Sequence, residues 1–204
     1  MAELLAERNI HVDRSTVHDW VQRFAPLYQE AARAHRHHVG GVWAVDETYI
    51  KVGGRPCYLY RAVDEHGQVV DVYYSERRDA GAADAFFRDA LRETGVTPHR
   101  VTRDKAAVYP PAPAVVLPDV EHATGTREQQ AIERDHQHVK GRIRGMRGFK
   151  SAHCTTVFTR GHGFMHNLRD GFYRLGLVMA DPRIPQRPRL VLAWDELTSQ
   201  LRAA

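Results

Sequence analysis

Three carboxylates carry the chemistry this sequence could do. Asp46 interrupts the run Val42-Trp-Ala-Val-Asp-Glu-Thr-Tyr-Ile50, which is apolar on both sides like a strand at the centre of its sheet. A carboxylate there is costly to bury unless it is paired or holds a metal. Asp104 directly follows a second strand-like run, Arg100 to Arg103, and Glu133 stands about 29 positions later in a helical pattern. Each alone reads most simply as a solvated side chain or a local cap. Together, on two strands and a facing helix, they form an oxygen donor set suited to two hard divalent cations, Mg²⁺ or Mn²⁺. Such a pair activates a water or a 3′-hydroxyl and stabilises the leaving oxygen, giving in-line phosphoryl transfer without a covalent enzyme intermediate.

The helix that must bring Glu133 to this site spans about Arg127 to Arg144. At 100° per residue, Ile132, Val139 and Ile143 form its apolar stripe, with Glu133, His136, Lys140 and Arg144 along one flank. Lys140, two turns beyond Glu133, can reach a phosphate near the metals, and Arg144 extends the positive track. The plainer reading is an i, i+7 pair on a solvated helix. Asp135, on the other flank of the stripe, stays as the competing third ligand.

The remaining elements follow from period and punctuation. Three strands are expected at Val42 to Val52, Tyr58 to Asp64 and Val69 to Ser75, separated by Gly53-Gly54 and by Glu65-His66-Gly67. A helix follows over Ala80 to Glu93, with Ala83, Phe86, Phe87, Ala90 and Leu91 on one side and Gly95 at its end. The fourth strand is Arg100 to Arg103, a short one is expected at Ala114 to Leu117 among four prolines, and a second long helix at Thr155 to Leu175. Such an order makes a mixed α/β domain. Before it, residues 2 to 8 and a helix capped by Ser15 form a small helical pair. Val17, Trp20, Val21 and Phe24 are the face expected to be buried, leaving Thr16, His18 and Arg23 outward, where a DNA groove could receive them. A helical hairpin packed on the main domain fits that pattern equally. The paired Gly40-Gly41 are read as stopping the helix in a linker. The expected divisions are 1–40, 41–180, and a Pro/Arg-rich tail over 181–204 with a short amphipathic helix carrying Trp194, Leu197 and Leu201.

Composition excludes several classes. Hydrophobic residues at 43% and charged ones at 26% are ordinary for a folded soluble chain, and a net charge of +4 leans toward a polyanionic partner. Cys57 and Cys154 are too few for a disulfide framework or a four-cysteine zinc site. No signal-peptide core or membrane-span pattern is present, so a cytoplasmic protein is expected. His35, His37 and His38, with His162 and His166 spaced i, i+4, offer a rival zinc reading that lacks a CxxC pair.

Five ordered blocks then carry a resemblance: Trp43-Ala-Val-Asp46-Glu-Thr-Tyr-Ile-Lys-Val, Leu59-Tyr-Arg-Ala-Val-Asp-Glu-His-Gly, Val101-Thr-Arg-Asp104-Lys-Ala-Ala-Val-Tyr, Ile132-Glu133-Arg-Asp-His136 and Gly145-Met-Arg-Gly-Phe-Lys150-Ser. Over roughly residues 1 to 176 the chain resembles the bacterial insertion-sequence transposases with a DDE catalytic domain, the insertion sequence six family. The resemblance implies a ribonuclease H-like mixed sheet flanked by helices, with Asp46, Asp104 and Glu133 as the catalytic, metal-binding triad. It places Lys140 as the basic residue after the glutamate, and Lys105 and Lys150 beside it as further candidate DNA contacts. It implies cleavage at terminal inverted repeats, transfer of the freed 3′ ends into target DNA, a homo-oligomer on DNA, and a nucleoid-associated location in a bacterium. The family's helix-turn-helix starts upstream of where Met1 stands, so residues 1–40 are expected to be a partial DNA-binding segment. Gln129-Gln130 replaces a pair of asparagines frequent in the family. A ribonuclease H-like nuclease or resolvase, and an inactive DNA-binding remnant, are the alternatives.

Overall fold

The computed structural model describes residues 2–103, 116–123, 132, 139–143, 148–176 and 186–203. It divides into two units, one of residues 1–36 with 173–204 and the other of residues 37–172.

In the larger unit, β1 (Val42–Val52), β2 (Arg55–Asp64) and β3 (Val69–Ser75) form an antiparallel meander. β1 and β2 pair without a gap from Trp43↔Asp64 to Val52↔Arg55. Gly53 and Gly54 close that hairpin, both at positive φ, as a two-residue turn matched to strand twist requires. After α3 (Ala80–Thr94), β4 (Arg100–Arg103) lies parallel to β1 and β5 (Glu121–Ala123) parallel to β4. The order β3-β2-β1-β4-β5, three antiparallel strands followed by two parallel ones, is the expected ribonuclease H-like mixed sheet with β1 at its centre.

One sheet face packs on α3, where Phe86, Phe87 and Ala90 bury against Trp43, Val45, Tyr60, Ala62, Val70 and Val101. The Asp79 carboxylate caps this helix by accepting from Ala82 N at 2.9 Å, and Gly95 ends it at φ 66°. The other face carries Ile50, Val52, Leu59, Val69 and Val72, covered by Val139 and Phe149, and beside them Ala44 and Val63, covered by Ile132. The helix α4 (Ala152–Arg169), capped by Ser151, lies along β3. Its Gly163 admits that edge closely, since a Cβ there would stand 3.2 Å from Val69 Cγ1. Asn167, buried, accepts from Val69 N at 2.8 Å and donates to Val69 O at 2.9 Å, where β3 shifts register against β2.

The smaller unit holds α1 (Ala2–Ala6), α2 (Arg14–Arg33) and α5 (Gln186–Ala203). Tyr28 meets Trp194 edge to face at 4.5 Å and hydrogen-bonds Thr198 at 2.8 Å, while Ala32, Ala193 and Leu197 are buried. No described helix is long and apolar enough to cross a membrane.

Several expectations change. The cap of α2 is Asp13, not Ser15: its carboxylate accepts from Thr16 N at 2.7 Å and also from the Ser15 hydroxyl. Trp20, Val21 and Phe24, expected to be buried, are 40%, 43% and 41% exposed; the described side-chain contacts of α5 with this part of the chain fall at Tyr28 and, beyond α2, at His35. Gly40 and Gly41 do not stop α2, which ends at Arg33. They lie where a side chain would collide with Glu65 and His99, and their amides donate to Asp64 and Glu65. The helix expected to reach Leu175 ends at Arg169, with Gly171 at φ 83°. The described fifth strand is Glu121–Ala123; of the strand expected at Ala114 to Leu117, the first two residues lie outside the described residues and Val116 and Leu117 are not in a strand.

Candidate functional site

The alternation of β1 places Ala44, Asp46, Thr48, Ile50 and Val52 on the sheet face away from α3. Asp46 is half-buried there, and its Oδ1 accepts from Glu47 N at 2.8 Å. Its neighbours on this face are closed off: Ala44 and Thr48 are each 3% exposed. Across β2, the partner in register is Arg61, so the two side chains stand on the same face. Arg61 is fully buried.

Asp104 and Glu133 lie outside the described residues, as do Lys105, Asp135, His136 and Arg144. Their immediate neighbours are placed. The parallel β1–β4 register ends at Val45↔Arg103, one residue before Asp46 on one strand and one before Asp104 on the other. Ile132, 1% exposed, packs on Ala44 and Val63, which flank Asp46 and Arg61 by two residues along β1 and β2. Val139, also 1% exposed, packs in the cluster with Ile50 and Leu59, on the other side of Asp46 and Arg61. Val139 and Ile143 turn inward from a helical segment over residues 139–143, as the apolar stripe predicted, and Lys140 is exposed beside them.

Lys150 is exposed next to Phe149, which is anchored to the hairpin: Phe149 N donates to Lys51 O, and Gly53 N donates to Phe149 O at 2.9 Å. Lys51, not singled out in the sequence, is thereby brought beside Lys150 at the end of β1. Of the candidates on α2, His18 and Arg23 are exposed and Thr16 is half-buried, with the Arg23 guanidinium 5.6 Å over the Phe24 ring.

Three histidines of the zinc reading have other neighbours. His35 bonds Gln200, His38 bonds the Val39 carbonyl, and His166 lies 3.3 Å from Asp170. Among the described residues no three His, Cys, Asp or Glu gather to hold a metal. For the triad, one donor of three is described, and its carboxylate oxygens are of the kind that hard divalent cations take.

One strongly shifted acid lies apart from Asp46. Asp71 on β3 is buried, which pushes its carboxyl up to about 6 despite Arg160 of α4 with Nη2 3.9 Å from Oδ2. The same guanidinium donates to Val72 O and reaches Asp89 of α3, tying both helices to the edge strand.

Residues 40–171 match the family model of a DDE domain. A transposase for the insertion sequence-like element IS431mec of Staphylococcus aureus (strain N315) is 38% identical over 149 residues, 70% of this chain and 65% of the relative. A transposase for insertion sequence element IS257 in transposon Tn4003 of Staphylococcus aureus shows the same identity and coverage. The chain thus spans just under two thirds of the length of these relatives. Among solved structures, the catalytic core domain of BIV integrase matches with a TM-score of 0.46 and 15% identity, covering 79% of this chain and 99% of that one. The HTLV-2 integrase catalytic core domain in complex with magnesium matches at 0.39 and 16%, covering 78% and 85%.

Proposed function

The chain belongs to the DDE-domain family of bacterial insertion-sequence transposases, the insertion sequence six family, and on that premise we propose that it cuts DNA at insertion-sequence ends and joins the freed 3′ ends to target DNA. The observation that carries this reading is the placement of Asp46 and of the chain on either side of its partners. β4 pairs with β1 up to Val45↔Arg103, and the residues that follow these two in the sequence are Asp46 and Asp104. Ile132, the residue before Glu133 in the sequence, is seated on Ala44 and Val63, which lie two residues from Asp46 and Arg61. Asp46, Asp104 and Glu133 would hold two Mg²⁺ or Mn²⁺ ions, which when bound supply activation of the attacking hydroxyl and stabilisation of the leaving oxygen.

The protein's own groups do the rest. Lys140, exposed on the helical segment that covers the face, holds a DNA phosphate, and Lys105, Arg144 and Lys150 extend that positive track. The buried clusters around Asp46 limit water at the reacting phosphate. Thr16, His18 and Arg23 contribute a weaker DNA contact from α2, and the active species is a homo-oligomer that engages two ends in the bacterial nucleoid.

The test uses duplexes from the DNA flanking the gene, pre-cut to expose a 3′-hydroxyl, with supercoiled plasmid as target. The expected result is Mg²⁺-dependent joining, lost in Asp46→Asn, Asp104→Asn and Glu133→Gln while each variant keeps its unfolding transition. Nicking without joining would support the nuclease reading. Full joining by any variant would remove that residue from the site.

A further inference from the structure

At the hairpin end of the sheet, the face that packs on α3 comes out from under that helix. Along β1, Thr48, Ile50 and Val52 are buried, while Tyr49 and Lys51 between them are exposed, Tyr49 by 52%. Tyr49 is in register with Tyr58 of β2, and Tyr58 with Ser75 of β3; the next row inward holds Glu47, Tyr60 and Tyr73. Tyr49 meets Tyr58 edge to face at 6.3 Å, Tyr60 meets Tyr73 at 6.4 Å, and Tyr60 lies 5.9 Å from Phe86 of α3. An aromatic floor thus runs from the core to the surface and is anchored at its inner end.

Cations border it. Lys51 follows Tyr49 by two residues on the same side of β1, and Lys150 is exposed beside the same hairpin. The chain leaving β3 adds Arg77 and Arg78, both exposed: the Tyr60 hydroxyl donates to Arg77 O at 3.5 Å, and the Arg78 guanidinium bonds Glu47. Glu47, the acid in these two rows, is thereby neutralised, while Glu76 acts on Tyr74, which alternation turns to the other face. A duplex keeps the faces of its bases stacked inward and would use the cations alone. An unpaired strand can use the ring as well, since every base has a π-face to lay on it.

We propose that this surface, Tyr49 with Lys51 and the Arg77-Arg78 segment, binds an unpaired stretch of DNA, stacking a base on Tyr49 and holding the flanking phosphates on the cations. It lies on the sheet face opposite Asp46 and is a separate contact from the carboxylate site. It rests on the DNA-joining reading only for the source of that strand.

The test is fluorescence anisotropy of the full chain in EDTA, with a labelled oligothymidylate and with a duplex of equal phosphate count. Tyr49→Ala should weaken oligothymidylate binding on the order of tenfold at an unchanged salt slope, and duplex binding by less than about twofold. Tyr49→Phe, which keeps the ring, should stay within about twofold of the parent. Lys51→Gln should flatten the single-strand salt slope by about 0.7, one phosphate contact. If Tyr49→Ala does not fold, irradiation of the parent chain with an iododeoxyuridine oligonucleotide serves, and crosslinks should map to Tyr49 or Tyr58. Unchanged oligothymidylate affinity in folded Tyr49→Ala, equal losses on single strand and duplex, or crosslinks confined to other elements would overturn the proposal. No metal enters this assay, so its failure leaves the joining test standing, and a failure of joining leaves this result standing.

Discussion

Replacing Asp71 with Asn should make the protein more stable at neutral pH and leave it little changed in acid. Asp71 is an acid that the fold prefers protonated: burial raises its carboxyl from 3.8 to about 6, with Arg160 opposing and Glu93 and Asp89 of α3 adding to the rise. Below 3.8 the side chain is neutral folded and unfolded, and its full contribution is present. Between 3.8 and about 6 the folded protein holds a proton that the unfolded chain has released, so stability falls as pH rises through that window. Above about 6 both states are ionised and the loss is complete. A rise of this size corresponds to roughly 3 kcal/mol, of which about 2 kcal/mol falls between about pH 4.5 and 7.5. Asn has the shape of the neutral acid without its titration. Urea unfolding of both proteins at about pH 4.5, 6 and 7.5 and constant ionic strength should show the difference moving toward Asp71→Asn by that amount. A difference that stays constant would mean Asp71 titrates alike in both states. One that moves the other way would mean Arg160 outweighs burial and holds Asp71 ionised, which would refute the reasoning.

Asn167→Ala removes two buried hydrogen bonds to Val69 and should cost about 2–4 kcal/mol in urea unfolding; a cost below about 1 kcal/mol would mean β3 holds its end without the clamp. Gly163→Val would force branched methyls against Val69 and Val72 and should cost about 1–3 kcal/mol by the same measurement, with unchanged stability showing that α4 can move off the strand. Lys140→Ala, at an exposed position, should leave stability within about 0.5 kcal/mol. It should also lower the salt dependence of DNA binding, read by fluorescence anisotropy, by about one phosphate contact; an unaltered salt slope would remove Lys140 from the DNA track.

Local signals carried most of the larger unit. The pair Gly53-Gly54, the alternation of β1 and the Gly95 stop of α3 were legible because each is decided within a few residues by backbone conformation. What depends on a distant partner was not. The α2 stripe shows where apolar residues line up, but whether it is covered depends on the reach of α5, which meets Tyr28 and leaves Trp20, Val21 and Phe24 in the open. Ser15 has the right chemistry for a cap, and Asp13 took the role because a carboxylate two residues earlier reaches Thr16 N and draws in the Ser15 hydroxyl as well. Gly40 and Gly41 resemble a linker in sequence, and only the fold shows that their missing side chains make room for Glu65 and His99.

Arg61 escaped notice although its signal was of the same kind that exposed Asp46. Both are ionisable residues inside runs that are apolar on either side, Trp43 to Ile50 and Tyr58 to Val63. A lone arginine in a strand is ordinarily given to the solvent face by alternation, and the case against that assignment exists only when β2 is known to lie between two other strands, with Ile132 and Val139 over the same face. Those two residues stand seven positions apart in the sequence. Their burial on opposite sides of Asp46 and Arg61 means that the apolar residues set the register of everything polar between them. The placement of Asp46, the carboxylate proposed to bind metal, is thus decided less by the carboxylate than by which hydrophobic neighbours are buried together around it.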